Sequence, residues 1–207
     1  MHQYLVETKF AAKSLIEIIH HEEYQFNDLT EQFNCLKKDF DHLFWDYSTA
    51  DMNEDFCDLQ IQQKYIRMAK FAEENDLKGK KAKLDLIAKS IITKKDSINS
   101  LCMSLLQIAK QGISTAVGNP SNCPSGRKIG SETLLNIILQ GRNQSIHCEE
   151  GKPTQKVKDC FLNLTNDFGG EYDLTIDYTD NKAKKIVELL KWNIYNNYEA
   201  DMITLIG

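Results

Sequence analysis

Apolar residues spaced by three and four positions run through this chain, and that period constrains its fold more than any other feature. The clearest run is Leu29, Phe33, Leu36, Phe40, Leu43 and Tyr47. At 3.6 residues per turn these positions share one face, so the segment reads as an amphipathic helix with a stripe turned toward a partner helix. Val6, Phe10, Leu15, Ile18 and Ile19 predict a helix over residues 4–24, and Asn27 or Asp28 is suited to cap the next one. Phe56, Leu59, Ile66 and Ala69 predict a third helix over residues 54–74. Residues 77–83 form a lysine-rich turn or frayed start. Leu84, Ile87, Ile91, Ile98, Cys102, Leu105, Ala109 and Ile113 then sustain the period to Val117, the longest helix expected.

Chain punctuation agrees with a helical reading. Three prolines and ten glycines among 207 residues are few for an all-β protein, which needs frequent turns. Residues 118–126 hold two of the prolines and form the clearest loop. Ser131 is placed to cap a helix carrying Leu134, Leu135, Ile138 and Ile146, which Gly151 and Pro153 would stop. Thr154 would cap a further helix through Val157, Phe161 and Leu164. Residues 168–180 alternate briefly like a strand but have no pairing partner, so they are expected as an extended loop. Residues 181–198 predict the last helix, with Ile186, Leu189, Leu190 and Ile194 inward. The expected fold is an all-α antiparallel helical bundle with additional N-terminal helices. Residues 1–76 would form an N-terminal helical region, an extension or part of the bundle, and residues 77–207 the main helical domain.

Charge and composition exclude several classes. The formal net charge of −5 rules out a chain coated in positive charge, though not a local basic site. No apolar stretch approaches the ~18 residues that span a bilayer. The first residues, with Glu7 early, do not resemble a signal peptide. Cys35, Cys57, Cys102, Cys123, Cys148 and Cys160 form no CxxC pair and are expected as free, buried thiols. A cytoplasmic protein without membrane contact is the expectation. The chain carries no P-loop and no GxSxG. His20-His21-Glu22-Glu23 is a poor chelate, because adjacent helical residues diverge by about 100°. His147-Cys148 with Cys160 lacks a fourth partner at zinc-like spacing, so no metal site is expected. Trp45 and Trp192 are expected as core or interface anchors.

One stretch combines scarce chemistry: Gln140-Gly-Arg-Asn-Gln-Ser-Ile-His-Cys-Glu-Glu-Gly151. Arg142 is one of three arginines, against twenty-two lysines, and a guanidinium forks onto phosphate oxygens as an ammonium cannot. His147 can take or give a proton near neutrality. The two lie five positions apart, about 140° around a helix, so they converge only at a distorted helix end or across an interface between copies. The plain structural alternative is a pair of surface residues favoured at the negative end of a helix dipole.

Arg142-Asn143-x-x-x-His147, late in an all-α chain and trailed by Cys-Glu-Glu-Gly, resembles the RNxxxH variant of the motif of the HEPN superfamily. The resemblance rests on about a dozen residues and leaves 1–76 unmatched. It implies a helical bundle that dimerises through the motif-bearing helices, and a metal-independent endoribonuclease of a bacterial toxin or anti-phage defence system. Such a protein needs no cofactor and can have an antitoxin or defence-system partner. Arg142 and His147 would be catalytic, with Asn143 orienting the site. His147 would withdraw the 2′-hydroxyl proton of an RNA substrate and Arg142 would stabilise charge on the phosphorane. Lys78, Lys80, Lys81 and Lys83, with Lys89, Lys94 and Lys95 beyond, could track an RNA backbone or be a solvated helix face. The alternative function is a non-catalytic helical interaction protein whose periodic N-terminal helices bind a partner.

Overall fold

The computed structural model describes residues 2–49 and 58–207, and among them the fold is all-α. Seven α-helices occur in order: α1 (Gln3–Thr49), α2 (Asp58–Glu74), α3 (Leu77–Val117), α4 (Leu134–His147), α5 (Gln155–Phe168), α6 (Ala183–Leu189) and α7 (Tyr195–Ile206). Strands β1 (Lys128–Ile129) and β2 (Glu132–Thr133) pair antiparallel in a minimal hairpin that the sequence pattern did not predict. Among the described residues, no helix is long and apolar enough to cross a membrane.

Packing divides the chain into two compact units. One comprises residues up to Glu23 together with Asp96–Gly207, and the other is Tyr24–Lys95. The expected division near residue 76 falls inside the second unit. In the first, Leu5, Ala12, Ile16 and Ile19 of α1 are buried. Tyr4 donates its hydroxyl to the Ile108 carbonyl at 2.9 Å, and Glu23 lies near enough to Cys102 for its charge to act on the thiol, so α1 and α3 run antiparallel. Gly112 lets the two approach: a Cβ there would meet the Tyr4 ring at 2.7 Å. Ile98, Cys102, Leu105, Ala109 and Ile113 form the core face of α3, as their period predicts.

Among the described residues of the second unit, Leu77, Leu84 and Ile87 are buried, whereas the stripe Leu29, Phe33, Leu36, Phe40 and Leu43 is half-buried. Phe40 and Phe44 stack at 5.7 Å within α1. Phe56 and Cys57 lie outside the described residues.

Several expectations are corrected. Helix α1 continues through Asn27 and Asp28, where Asp28 accepts from Gln32 one turn on at 2.8 Å, so no cap is needed. Among the described residues α1, at 47 residues, is longer than the 41-residue α3. Val6, Phe10 and Ile18 face outward, as do Leu59 and Ile66 of α2. Thr133, not Ser131, caps α4, accepting from the Asn136 amide at 3.3 Å. The last predicted helix is two, broken at 190–194 where Lys191 adopts φ 58° and Trp192 turns into the core, leaving Ile194 exposed. Of the two tryptophans expected as core or interface anchors, Trp192 is in the core and Trp45 is exposed, outside it. Cys102, Cys123, Cys148 and Cys160 are buried free thiols, but Cys35 is exposed.

Candidate functional site

Helix α4 carries the motif, and its entry is fixed by the hairpin before it. The Leu134 amide donates to the Arg127 carbonyl at 2.9 Å. Arg127 in turn forks onto Asp201 of α7 at 2.8 and 2.9 Å, and the buried Trp192 Nε1 donates to the same carboxylate at 2.9 Å. Leu134, Ile137, Ile138 and Gly141 form the apolar side of α4. Gly141 permits close packing on α6, since a Cβ there would stand 3.1 Å from Ile186. The helix ends at His147. A 3-10 turn, Cys148–Glu150, follows, and Gly151 reverses the chain in the left-handed region at φ 61°.

Arg142 is half-buried and held by neighbours. Its Nε donates to Gln107 Oε1 of α3 at 2.7 Å, and Nη1 donates to Asn143 Oδ1 at 3.1 Å. Asn143 and Gln107 thus share the guanidinium. His147 is exposed, and its Nδ1 lies 2.6 Å from Glu150 Oε1. A carboxylate there accepts, so the Nδ1 proton is held and Nε2 carries the lone pair in the neutral ring.

Beside His147 is a cavity of about 270 Å³, with Asn143, Gln144, Glu150, Lys152 and Tyr178 on its wall. Thr154, at the head of α5, borders it and makes no side-chain cap bond. Arg142 does not line this cavity. Within one chain, therefore, α4 presents Asn143 and His147 to a shared space and turns Arg142 toward α3.

Gln144 escaped the sequence reading. It is 3% exposed, yet both ends of its amide are bonded: Nε2 donates to the Asp180 carbonyl at 2.8 Å and Oε1 accepts from the Lys182 amide at 3.0 Å. It clamps the segment before α6 to α4. The available signal was its place on the Ile137–Gly141 face, where an amide is buried only if both its ends are bonded. Two Asx turns stiffen that segment further. Asp173 accepts from the Thr175 amide and hydroxyl at 2.7 Å, bonds that lower its carboxyl pKa, and Asp177 accepts from Thr179 at 2.8 and 2.7 Å.

The predicted lysine track lies elsewhere in the chain. Lys78, Lys80, Lys81 and Lys83 occupy the first turns of α3 in the second unit, whereas Arg142, Asn143 and His147 belong to the first. Lys80 donates to the Asn75 carbonyl at 2.7 Å, and Lys81 pairs with Asp85 at 2.9 Å; Lys78 and Lys83 are exposed. Lys182, Lys184 and Lys185 are matched by Asp180, Glu23 and Glu171 at 2.9, 3.3 and 2.7 Å. The His20 ring lies 2.6 Å from the Asn193 carbonyl, and among the described residues no group of three His, Cys, Asp or Glu could hold a metal. The chain matches no protein-family model, no curated protein and no solved structure.

Proposed function

We propose that this chain is an RNA-cleaving protein of HEPN type, with His147 as general base and Arg142 as the cation that stabilises the transition state. The observation that carries the reading is the place of His147: exposed, with Nδ1 2.6 Å from Glu150 Oε1, on the wall of an open cleft that Asn143 and Lys152 also line. A carboxylate behind an imidazole fixes its tautomer and supports the imidazolium that forms when it takes a proton.

In the reaction, Nε2 removes the proton of a ribose 2′-hydroxyl, and that oxygen attacks the adjacent phosphorus. The bond to the 5′ oxygen breaks, and water in the open cleft returns a proton to the departing oxygen. The products carry a 2′,3′-cyclic phosphate and a 5′-hydroxyl. Lys152 supplies positive charge beside the phosphate. Arg142 keeps Nη2 without a bond to any described residue, while Gln107 and Asn143 hold the rest of the guanidinium. Because Arg142 and His147 leave α4 about 140° apart, a homodimer meeting along α4 would let one copy's arginine serve the other's histidine. A toxin or anti-phage role, with an antitoxin or defence partner, is the setting we propose for such an activity.

The test is incubation of purified protein with a labelled single-stranded RNA and its all-deoxy counterpart. Cleavage of the RNA alone, abolished by His147→Ala and by Arg142→Ala, supports the reading. Uncut RNA removes it. A second reading has its own support: Phe44, Trp45, Leu59, Tyr65 and Ile66 are exposed in the second unit, as an interaction surface for a partner protein would require. A non-catalytic interaction protein leaves RNA intact.

A further inference from the structure

We propose that Tyr178 is a stacking platform for an unpaired RNA base next to the scissile linkage, placed between two adjoining cavities; this rests on the RNA-cleaving reading above. Tyr178 lines both the cavity of about 270 Å³ at His147 and a second of about 150 Å³ against α5. Each has room for a single base rather than for a folded segment of polypeptide. Tyr178 is half-buried and is the middle residue of the Asp177–Thr179 turn, on a segment held by the Asp173 turn before it and the Gln144 clamp after it. Lys158 Nζ lies 5.5 Å from its ring centroid, and Lys158 lines the second cavity but not the first. A base entering the cavity at His147 would reach Tyr178 on its wall, with Lys152 in the same cavity for the phosphate.

Aromatic rings bind bases of any identity, because every base has a π face, and they need that base unstacked from its neighbours. The chemistry therefore fits single-stranded RNA and disfavours a duplex. The walls also carry acids: Glu150 lies against His147 in the first cavity, and Asp159 and Asp173 line the second together with Lys158.

The experiment measures binding of a fluorescein-labelled single-stranded ten-nucleotide RNA, and the same RNA annealed to its complement, by fluorescence anisotropy in the His147→Ala background. Tyr178→Phe should bind like the parent, and Tyr178→Leu, which fills the space without a flat ring, should weaken single-strand affinity about tenfold. The duplex should bind less well than the single strand and be unaffected by either change. Equal single-strand affinity for Tyr178→Phe and Tyr178→Leu overturns the stacking role even if the wild type cuts RNA. Failure of the His147→Ala protein to bind any RNA overturns the stacking role, and with RNA left uncut by wild type the cleavage reading falls too.

Discussion

Replacing Gln144 by leucine isolates the clamp that holds the segment carrying Tyr178. Leucine is close in volume, so the change leaves little cavity and removes two hydrogen bonds, from Nε2 to the Asp180 carbonyl and from the Lys182 amide to Oε1. Each neutral bond contributes about 1 kcal/mol net, and a backbone group left buried without a partner costs more. Asp180 and Lys182 are half-buried, so water reaches part of what is lost. The expected destabilisation is about 2–3 kcal/mol, or roughly 4–12 °C in Tm for a chain of this size. Thermal unfolding followed by circular dichroism measures it, and hydrogen exchange should accelerate across residues 173–182 while α3 stays protected. Gln144→Glu gives the sign. Its carboxylate keeps the Lys182 bond but faces the Asp180 carbonyl with no proton to donate, which raises its pKa in the folded state. Stability lost at pH 7 should therefore return as pH falls and the group is protonated. Gln144→Leu within 0.5 kcal/mol of wild type, to take about half the value of one bond as the limit, with exchange unchanged, would refute the clamp.

Asp201→Ala should cost about 2–4 kcal/mol by denaturant unfolding, mostly from the stranded Trp192 N–H, since the Arg127 side chain is 45% exposed and water replaces much of its share. Trp192→Phe in that background should recover part of the loss. Gly112→Ala forces a methyl against the Tyr4 ring and should cost about 1–3 kcal/mol, relieved by adding Tyr4→Leu. Burial pushes the Cys102 and Cys160 thiols up to about 12, so both stay neutral and inert while exposed Cys35 alkylates at pH 8, a difference peptide mass spectrometry reads. Because these folded values are raised, their contribution is intact below the unfolded thiol pKa of about 8.5 and is lost as pH climbs toward 12.

What the sequence reveals here follows from which forces are local. The core face of α3 could be read directly, because the buried residues from Ile98 to Ile113 keep one period along one helix. Asn27 and Asp28 misled: an N-cap contributes about 1 kcal/mol, too little to interrupt a helix with no glycine or proline beside it. Val6 and Phe10 misled differently, since two registers of apolar residues occupy the start of α1 and only packing selects Leu5, Ala12, Ile16 and Ile19. The break at Lys191 is tertiary in origin, Trp192 turning to reach Asp201. In the candidate site, Arg142 and His147 were visible as scarce residue types in a short window, with Asn143 beside them. Tyr178 was not, since a loop tyrosine has no period and its cavities are made by α4, α5 and the turn after Cys148.

The most direct measurement is the chemistry of the cut ends. Mass spectrometry of single-stranded RNA treated with purified protein should find 2′,3′-cyclic phosphate on one fragment and 5′-hydroxyl on the other, with neither formed by His147→Ala. Intact RNA, or fragments ending in 3′-hydroxyl and 5′-phosphate, would contradict an imidazole acting on the ribose hydroxyl.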